Sequence, residues 1–185
     1  LISRKELELM IDEERRGDVR EVEKTMIRKI FSFRDLDVSN VMVPMIDASV
    51  VSFDGKVQSV IDRIYRDGHS RILVYRENTQ NIIGIVHAKD LISSTSSSND
   101  LIIENSNLMR PVYFIPESKS ANDLLYEMMN ERNKLAVVVD EYGACVGIVT
   151  LEDLVEEVVG EISDEYDWDE NRKYSKIGEK SYIID

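Results

Sequence analysis

The sequence predicts an α/β protein made of two copies of one β-α-β-β-α unit. Residues 84–91 and 147–154 share a glycine, an apolar pair and an Asp-Leu pair, and in both cases the apolar run leads into a helical pattern. A Met-x-Pro lead-in also occurs twice, at residues 42–44 and 109–111. The repeated order of these motifs indicates an internal duplication.

The first repeat follows a linker that starts near Val38. Apolar residues at steps of three and four predict a helix over residues 57–65. Two β-branched runs predict strands at 71–75 and 82–86, and the second strand leads into a short helix at 89–92.

The second repeat copies this order. It has a predicted helix at 121–129, strands at 135–139 and 145–149, and a helix at 151–159 that ends at Gly160. A polar, serine-rich run at 93–100 separates the two repeats. The first linker is three residues longer than the second, within residues 45–52, and connections are where a duplicated fold absorbs such changes.

The segments outside the repeats are shorter. We expect residues 1–34 to be a helical linker of two short helices, the first over residues 3–16. We expect 35–98 and 99–163 to be the two repeats, and 164–185 to be an acidic connector followed by the first hairpin of a missing domain. The acidic residues at 161–170 lack the spacing of an EF-hand loop, which favours a solvated connector over a metal site. The second helix is expected to pack on the repeats through an apolar stripe formed by Val19, Val22, Met26, Ile27, Ile30 and Phe31.

Charge and composition exclude several classes of function. The net charge of −13 repels nucleic acid and anionic membranes, so an anionic ligand would need a helix N-terminus, a basic side chain or a divalent cation. A single cysteine, Cys145, fits a reducing compartment. No run approaches the ~20 apolar residues that a bilayer crossing needs. Because the sequence opens on Leu1 and stops in a strand-like run, we expect it to be a segment of a longer protein.

The most informative motif is Thr150-Leu151-Glu152-Asp153, directly after a buried strand. A threonine followed three residues later by an acid forms a capping box, in which each side chain satisfies a backbone N–H of the first helical turn. The same geometry presents a hydroxyl and amides to an anion, and a carboxylate to a sugar diol. Cap and ligand site can coexist. In the first repeat, His87 stands in place of Thr150.

The complete repeat resembles the tandem cystathionine-β-synthase (CBS) domain, a fold that binds adenine nucleotides between two repeats. The chain is more closely similar to the CorC/haemolysin C family of magnesium and cobalt efflux proteins, over about residues 7–165. The motifs that carry this resemblance are Val41-Met42-Val43-Pro44, Gly68-His69-Ser70-Arg71, Val139-Asp140-Glu141-Tyr142-Gly143, Val149-Thr150-Leu151-Glu152-Asp153-Leu154 and Val159-Gly160-Glu161-Ile162.

The resemblance implies a cytoplasmic, non-catalytic module that binds ATP, or AMP or ADP, with Mg²⁺ through the phosphates. It further implies that the parent is an inner-membrane transport protein, of which this soluble part senses the nucleotide, and that residues 164–185 include the start of a truncated transporter-associated domain. Asp153 would bind the ribose hydroxyls, Thr150 would lie near the sugar or α-phosphate, and Arg71 and Lys134 would supply phosphate charge. The adenine would lie against the first linker, at Val43, Pro44, Met45, Ile46, Asp47 and Ser49.

The resemblance also implies that the equivalent second site is empty. Asp90 matches Asp153, but His87 and Lys89 replace the family residues, and the linker at Pro111 is short.

Two alternatives remain open. The pair could be a dimerisation scaffold in which the Thr-Asp turn is only a cap, and a nucleotide hydrolase is a third reading without an evident water-activating base. The chain has no phosphate loop, no Gly-x-Gly-x-x-Gly and no Gly-x-Ser-x-Gly motif. We also expect a two-fold homodimer through apolar helix faces at residues 91–92, 124–129 and 155–159.

Overall fold

The structure, a computed structural model, describes residues 6, 21–93, 102–160, 175–178 and 181–183. Helix α1, Glu21–Phe33, precedes the first repeat. The predicted helix at residues 3–16 lies outside the described residues apart from Glu6, and so do the acidic run at 161–170 and most of the serine-rich linker.

The first repeat has the predicted order of elements. In sequence they are α2 Val38–Val41, β1 Val43–Pro44, a 3-10 turn Met45–Asp47, β2 Val50–Ser52, α3 Val57–Asp67, β3 Arg71–Tyr75, β4 Ile82–His87 and α4 Ala88–Ser93. Helix α3 ends at Gly68, whose φ of 73° is the left-handed conformation that glycine adopts without a steric penalty. The predicted strands at 71–75 and 82–86 are confirmed, the second with one additional residue.

The second repeat follows the same plan. A 3-10 turn, Ile103–Asn105, leads to β5 Met109–Arg110, β6 Tyr113–Pro116, α5 Ala121–Glu131, β7 Leu135–Val139, β8 Cys145–Thr150 and α6 Leu151–Val159. Ser120 caps α5 by accepting a hydrogen bond from the Asp123 amide. Gly160 ends α6 as predicted. Further on, β9 Ser175–Gly178 and β10 Ser181–Ile183 form the predicted antiparallel hairpin.

The two repeats exchange their linker strands. One sheet has the strand order β2-β3-β4-β5 and the other has the order β1-β8-β7-β6. The lead-in strand β1 therefore pairs with β8 of the second repeat, and β5 pairs with β4 of the first repeat. This exchange brings the first linker beside the end of β8, where the Thr150 turn begins.

The core has three parts. One cluster is centred on each repeat and includes lead-in residues of the other, such as Val38 and Ile103. A third joins the two sheets through residues that include Met45, Leu73 and Val137. Side chains such as Leu154 and Val60 are fully buried, and each burial of this kind contributes roughly 1.5–3 kcal/mol. The N-terminal helix docks on the repeats as predicted, since α1 contacts α6 and Phe33 is buried in the cluster of the second repeat. Ile30 of the predicted apolar stripe is instead 52% exposed.

Candidate nucleotide site

A cavity of about 380 Å³ lies between the two repeats, and we call it the first cleft. Its size falls within the roughly 300–1,000 Å³ of small-molecule sites. The first linker, the loop before β3 and the turn from β8 into α6 all contribute to it. It is lined by Val43, Asp47, Ala48, Ser49, Gly68, His69, Ser70, Arg71, Leu73, Leu135, Ile148, Thr150, Glu152 and Asp153.

The turn from β8 into α6 is the predicted capping box. The Thr150 amide donates to Asp153 Oδ2 at 2.8 Å, and the Asp153 amide donates to Thr150 Oγ1 at 3.1 Å. These reciprocal bonds fix both side chains at the N-terminus of a nine-residue helix. The cap uses Oδ2 of Asp153, so the carboxylate has acceptor capacity left for a ligand in the cleft.

The first linker is fixed by a partly buried polar contact. The hydroxyl of Ser49 donates to Asp67 Oδ2 at 2.5 Å, and Arg63 lies 3.5 Å from the same oxygen. The Ser49 hydrogen bond, with the nearby positive charges of Arg63 and Arg66, lowers the pKa of Asp67 against the opposing effect of burial. This contact ties the linker wall of the first cleft to the end of α3.

Six of the ten predicted site residues come together in the first cleft: Val43, Asp47, Ser49, Arg71, Thr150 and Asp153. Pro44, Met45 and Ile46 do not line it. Met45 is buried in the cluster between the sheets, while Ile46 is 90% exposed. Lys134 lines a different cavity, described below.

The loop before β3 was not predicted as part of the site. Gly68, His69 and Ser70 line the first cleft, although no role in binding was predicted for them from the sequence. The Gly68-His69-Ser70-Arg71 motif could have indicated this, because it leads into β3. Strand β3 pairs with β4, and β4 runs into the turn of the first repeat that is equivalent to the Thr150 turn. The apolar wall residues Leu73, Leu135 and Ile148 lie on strands, and strand periodicity does not distinguish a cleft wall from a core.

The first cleft has an acidic lining. Three carboxylates line it, those of Asp47, Glu152 and Asp153, and the basic side chains that line it are Arg71 and His69. Among the described residues, no group of three or more His, Cys, Asp or Glu side chains is arranged to hold a metal ion by itself. A polyanionic ligand in this cleft therefore needs a counter-charge of its own.

A second cavity, of about 220 Å³, occupies the equivalent position beside the first repeat, and we call it the second cleft. Asp90, the counterpart of Asp153, does not line this cavity. It is bound by Arg110, with Nε–Oδ2 and Nη2–Oδ1 distances of 2.6 and 2.7 Å. These hydrogen bonds lower the pKa of Asp90. Both carboxylate oxygens of Asp90 are thus engaged within the protein.

Known proteins match the chain over most of its length. The family model for the CBS domain matches residues 38–96 and 106–160. The chain belongs to the CBS-domain family. The tandem CBS pair expected from the motifs is thereby confirmed, with its two β-α-β-β-α repeats.

Two curated relatives place this CBS pair more narrowly. It is 34% identical to the magnesium and cobalt efflux protein CorC of Pasteurella multocida, over 100% of this chain and 61% of that protein. It is 39% identical to a UPF0053 protein of Mycobacterium tuberculosis, over 92% of this chain and 40% of that protein. The CBS pair therefore spans only part of the length of these relatives.

Two solved structures are similar in fold and sequence. The CBS domain of a bacterial CNNM/CorC family Mg²⁺ transporter superimposes with a TM-score of 0.78 at 32% identity, covering 89% of this chain and all of that one. A structure of such a domain in complex with ATP gives a TM-score of 0.69 at 32% identity, covering 76% of this chain and 99% of that one. Among the residues described in our structure, no helix has the length and apolar character needed to cross a membrane.

Proposed function

We propose that this CBS pair binds ATP as its magnesium complex in the first cleft and regulates a divalent-cation transporter of the CorC type. One observation carries the proposal: the capped Thr150–Asp153 pair and the longer first linker bound the same cavity. The solved CNNM/CorC domain with ATP supports it.

The chemistry of the cleft fits a nucleoside phosphate. The Asp153 carboxylate accepts hydrogen bonds from the ribose diol, and each bond to a charged group contributes roughly 1.5–3 kcal/mol. With the ribose on Asp153, the proposed position of the first phosphate is beside the Thr150 hydroxyl and the N-terminus of α6, which favours an anion. Val43, Ala48 and Ile148 supply apolar surface for the adenine. AMP and ADP share the nucleoside and the first phosphate, so they are competing ligands.

Magnesium enters with the phosphates. ATP carries about four negative charges and meets three carboxylates in the cleft and a net protein charge of −13. A helix N-terminus offsets only about 0.3–1 kcal/mol per favourable charge. A Mg²⁺ ion on the phosphate oxygens keeps several waters, neutralises much of the charge and presents those waters to Asp47 or Glu152. Binding should therefore strengthen with magnesium.

The relatives support the proposed regulatory role. The magnesium and cobalt efflux protein CorC extends beyond the matched part, and the proposed parent of this CBS pair likewise joins it to a membrane transport domain on the cytoplasmic side. If Mg-ATP favours one arrangement of the two repeats, that arrangement must in turn bind Mg-ATP better. The module is in this reading a sensor and not an enzyme.

We also propose that two copies of the chain form a homodimer. Equivalent helix positions expose large apolar side chains in both repeats: Tyr65 at 86% with Ile92 at 79%, and Met129 at 60% with Val155 at 42%. Each repeat thus exposes one apolar face formed by its two helices, α3 with α4 and α5 with α6. Two such equivalent faces fit contact with a second copy of the chain related by a two-fold axis. Leu124 and Met128, which the sequence placed on this face, are instead fully buried within the chain.

Calorimetry tests the proposal. ATP, ADP and AMP are titrated into the protein with magnesium and with a chelator. We expect saturable ATP binding that tightens with magnesium. If no nucleotide binds while light scattering shows a dimer, the pair is a scaffold and the nucleotide proposal is wrong. A monomer in light scattering, with and without ATP, would contradict the dimer. Release of inorganic phosphate from ATP would contradict the non-catalytic reading.

A further inference from the structure

The second cleft has a charge opposite to that of the first. Its lining includes Arg71, Lys89, Arg132 and Lys134, with His87 beside them. No carboxylate from the described part of the chain contributes to the lining. In a protein of net charge −13, this gathering of basic groups is a local exception.

The backbone holds these groups together. Arg71 faces His87 across the β3–β4 pair, and Lys89 follows on α4. Arg132 and Lys134 belong to the short connection between α5 and β7, where Arg132 has a φ of 60°. The basic groups thus come from both repeats and converge on one cavity.

The second cleft lacks the features with which the first cleft is proposed to bind a nucleoside. Asp90 is held by two hydrogen bonds from Arg110, and His87 replaces the threonine of the other turn. The linker at Pro111 also lacks the additional residues that widen the first cleft. The second cleft, of about 220 Å³, is also smaller than the first cleft, of about 380 Å³.

We propose that the second cleft is a binding site for phosphate groups that makes no contact with a nucleoside. Several converging cations repel one another, and a phosphate oxyanion relieves that repulsion while accepting charge-assisted hydrogen bonds. Arginine matches two oxygens of a phosphate at once, and lysine adds a point charge. The site is separate in chemistry from the proposed ATP site, although Arg71 and Leu135 line both cavities.

His87 lines the second cleft, so its pKa is sensitive to a ligand bound there. Burial lowers the pKa of His87, and the charges of Arg71 and Arg110 lower it further, while Asp90 acts in the opposite sense and Lys89 adds a smaller lowering. Tyr113, Arg132 and Lys134 are the other charged or titratable groups that line the cleft. A bound phosphate anion stabilises the imidazolium, so it must raise the pKa of His87.

The chain offers a matched pair of probes, because its two histidines line different cavities: His69 the first cleft and His87 the second. Histidine-labelled protein is titrated by NMR with pyrophosphate in the presence of a chelator, and separately with adenosine. We expect pyrophosphate to shift the His87 ring signals and raise its pKa while leaving His69 unchanged. Adenosine should shift His69 alone. Pyrophosphate that leaves His87 unmoved up to millimolar concentration overturns the inference, whatever adenosine or ATP does.

Two variants and one control sharpen the test. Arg132→Gln and Lys134→Gln alter exposed side chains, so the fold should persist, and each should weaken pyrophosphate binding by about fivefold or more. Arg34→Gln makes the same charge change outside both clefts and should leave the affinity unchanged. Equal weakening by all three variants would mean that only net charge matters, and would contradict a site.

The same NMR titration with ATP identifies the source of the phosphate. If ATP shifts both histidines and blocks pyrophosphate, the second cleft receives the distal phosphates of the nucleotide bound next to it. If pyrophosphate still shifts His87 in the ATP-saturated protein, the ligand is a separate anion. Either result supports a phosphate site in the second cleft, whereas failure of ATP to shift His69 would count against the nucleotide proposal alone.

Discussion

The guanidinium of Arg110 donates to both carboxylate oxygens of Asp90, at 2.6 and 2.7 Å. In the other half of the pair, Val43 takes the position of Arg110: Val43 is paired with Ile148, and Arg110 with the equivalent Ile85. The two aspartates at the helix starts therefore differ: Arg110 binds both oxygens of Asp90, whereas the hydrogen bond recorded for the Asp153 carboxylate is the backbone cap from Thr150.

Val43→Arg should therefore close the first cleft. The new guanidinium lies where Arg110 lies in the other half, and it should bind Asp153 and displace the ribose diol. We expect the affinity for both ATP and adenosine to fall at least about tenfold, since charge-assisted hydrogen bonds are lost. Adenosine matters here because it has the diol without phosphates that an added arginine would attract.

The matched control is Arg110→Val. It releases Asp90 without altering the first cleft, so adenosine affinity should stay at the parent value. Unchanged adenosine binding by Val43→Arg would show that Asp153 does not hold the ribose.

Gly147 is required for the close approach of the first linker. A Cβ at this position would lie 2.7 Å from the Val43 carbonyl oxygen and 2.8 Å from Met42 Sδ. Gly147→Ala should therefore separate β1 from β8, destabilise the fold by about 1–3 kcal/mol and weaken ATP binding. Chemical denaturation and calorimetry measure the two effects.

Gly84→Ala is the internal comparison. A Cβ on the equivalent Gly84 would clash with Cγ and Sδ of Met109, the side chain of a flexible residue. Because that side chain can move, we expect a smaller loss of stability and no loss of ATP binding. A larger cost for Gly84→Ala than for Gly147→Ala would contradict this account.

Tyr113 gives a prediction about alkaline stability. Burial raises the pKa of Tyr113 to about 12, with further contributions from its hydrogen bond to Glu127 and from the charge of that carboxylate. A raised pKa in the folded state means that the contribution to stability is complete below about pH 10 and is lost as the pH rises toward 12.

We expect Tyr113→Phe to remove the last tyrosine step from an ultraviolet titration of the folded protein. The difference in the free energy of unfolding between the parent and Tyr113→Phe should shrink between about pH 10 and 12. Tyr142→Phe, at a side chain that is 94% exposed, should leave that last step in place. Persistence of the step in Tyr113→Phe would contradict the assignment.

Local patterns predicted the repeats accurately because each element has its own signal. The strands at 71–75 and 135–139 are β-branched runs bounded by polar residues, and they form as predicted. The capping box at Thr150 is likewise local, since it needs only residues three apart on one helical turn.

The remaining features depend on tertiary contacts. A two-residue strand such as β1 has no periodicity, so its pairing with the opposite repeat is fixed only by the packing of the two sheets. The additional residues of the first linker form a 3-10 turn in which Met45 enters the core and Ile46 faces solvent. Lys134 lines the second cleft because the connection before β7 lies between the repeats.

Calorimetric titration of ATP into Asp153→Ala and Asp90→Ala determines whether Asp153 holds a nucleotide in the first cleft. The measurement is made at low and high magnesium, with thermal unfolding as a check that both variants remain folded. We predict that Asp153→Ala loses measurable binding at both magnesium levels. Asp90→Ala should bind like the parent, more tightly with magnesium. A folded Asp153→Ala variant that binds ATP with the parent affinity, or parent binding that weakens as magnesium is added, would contradict the account.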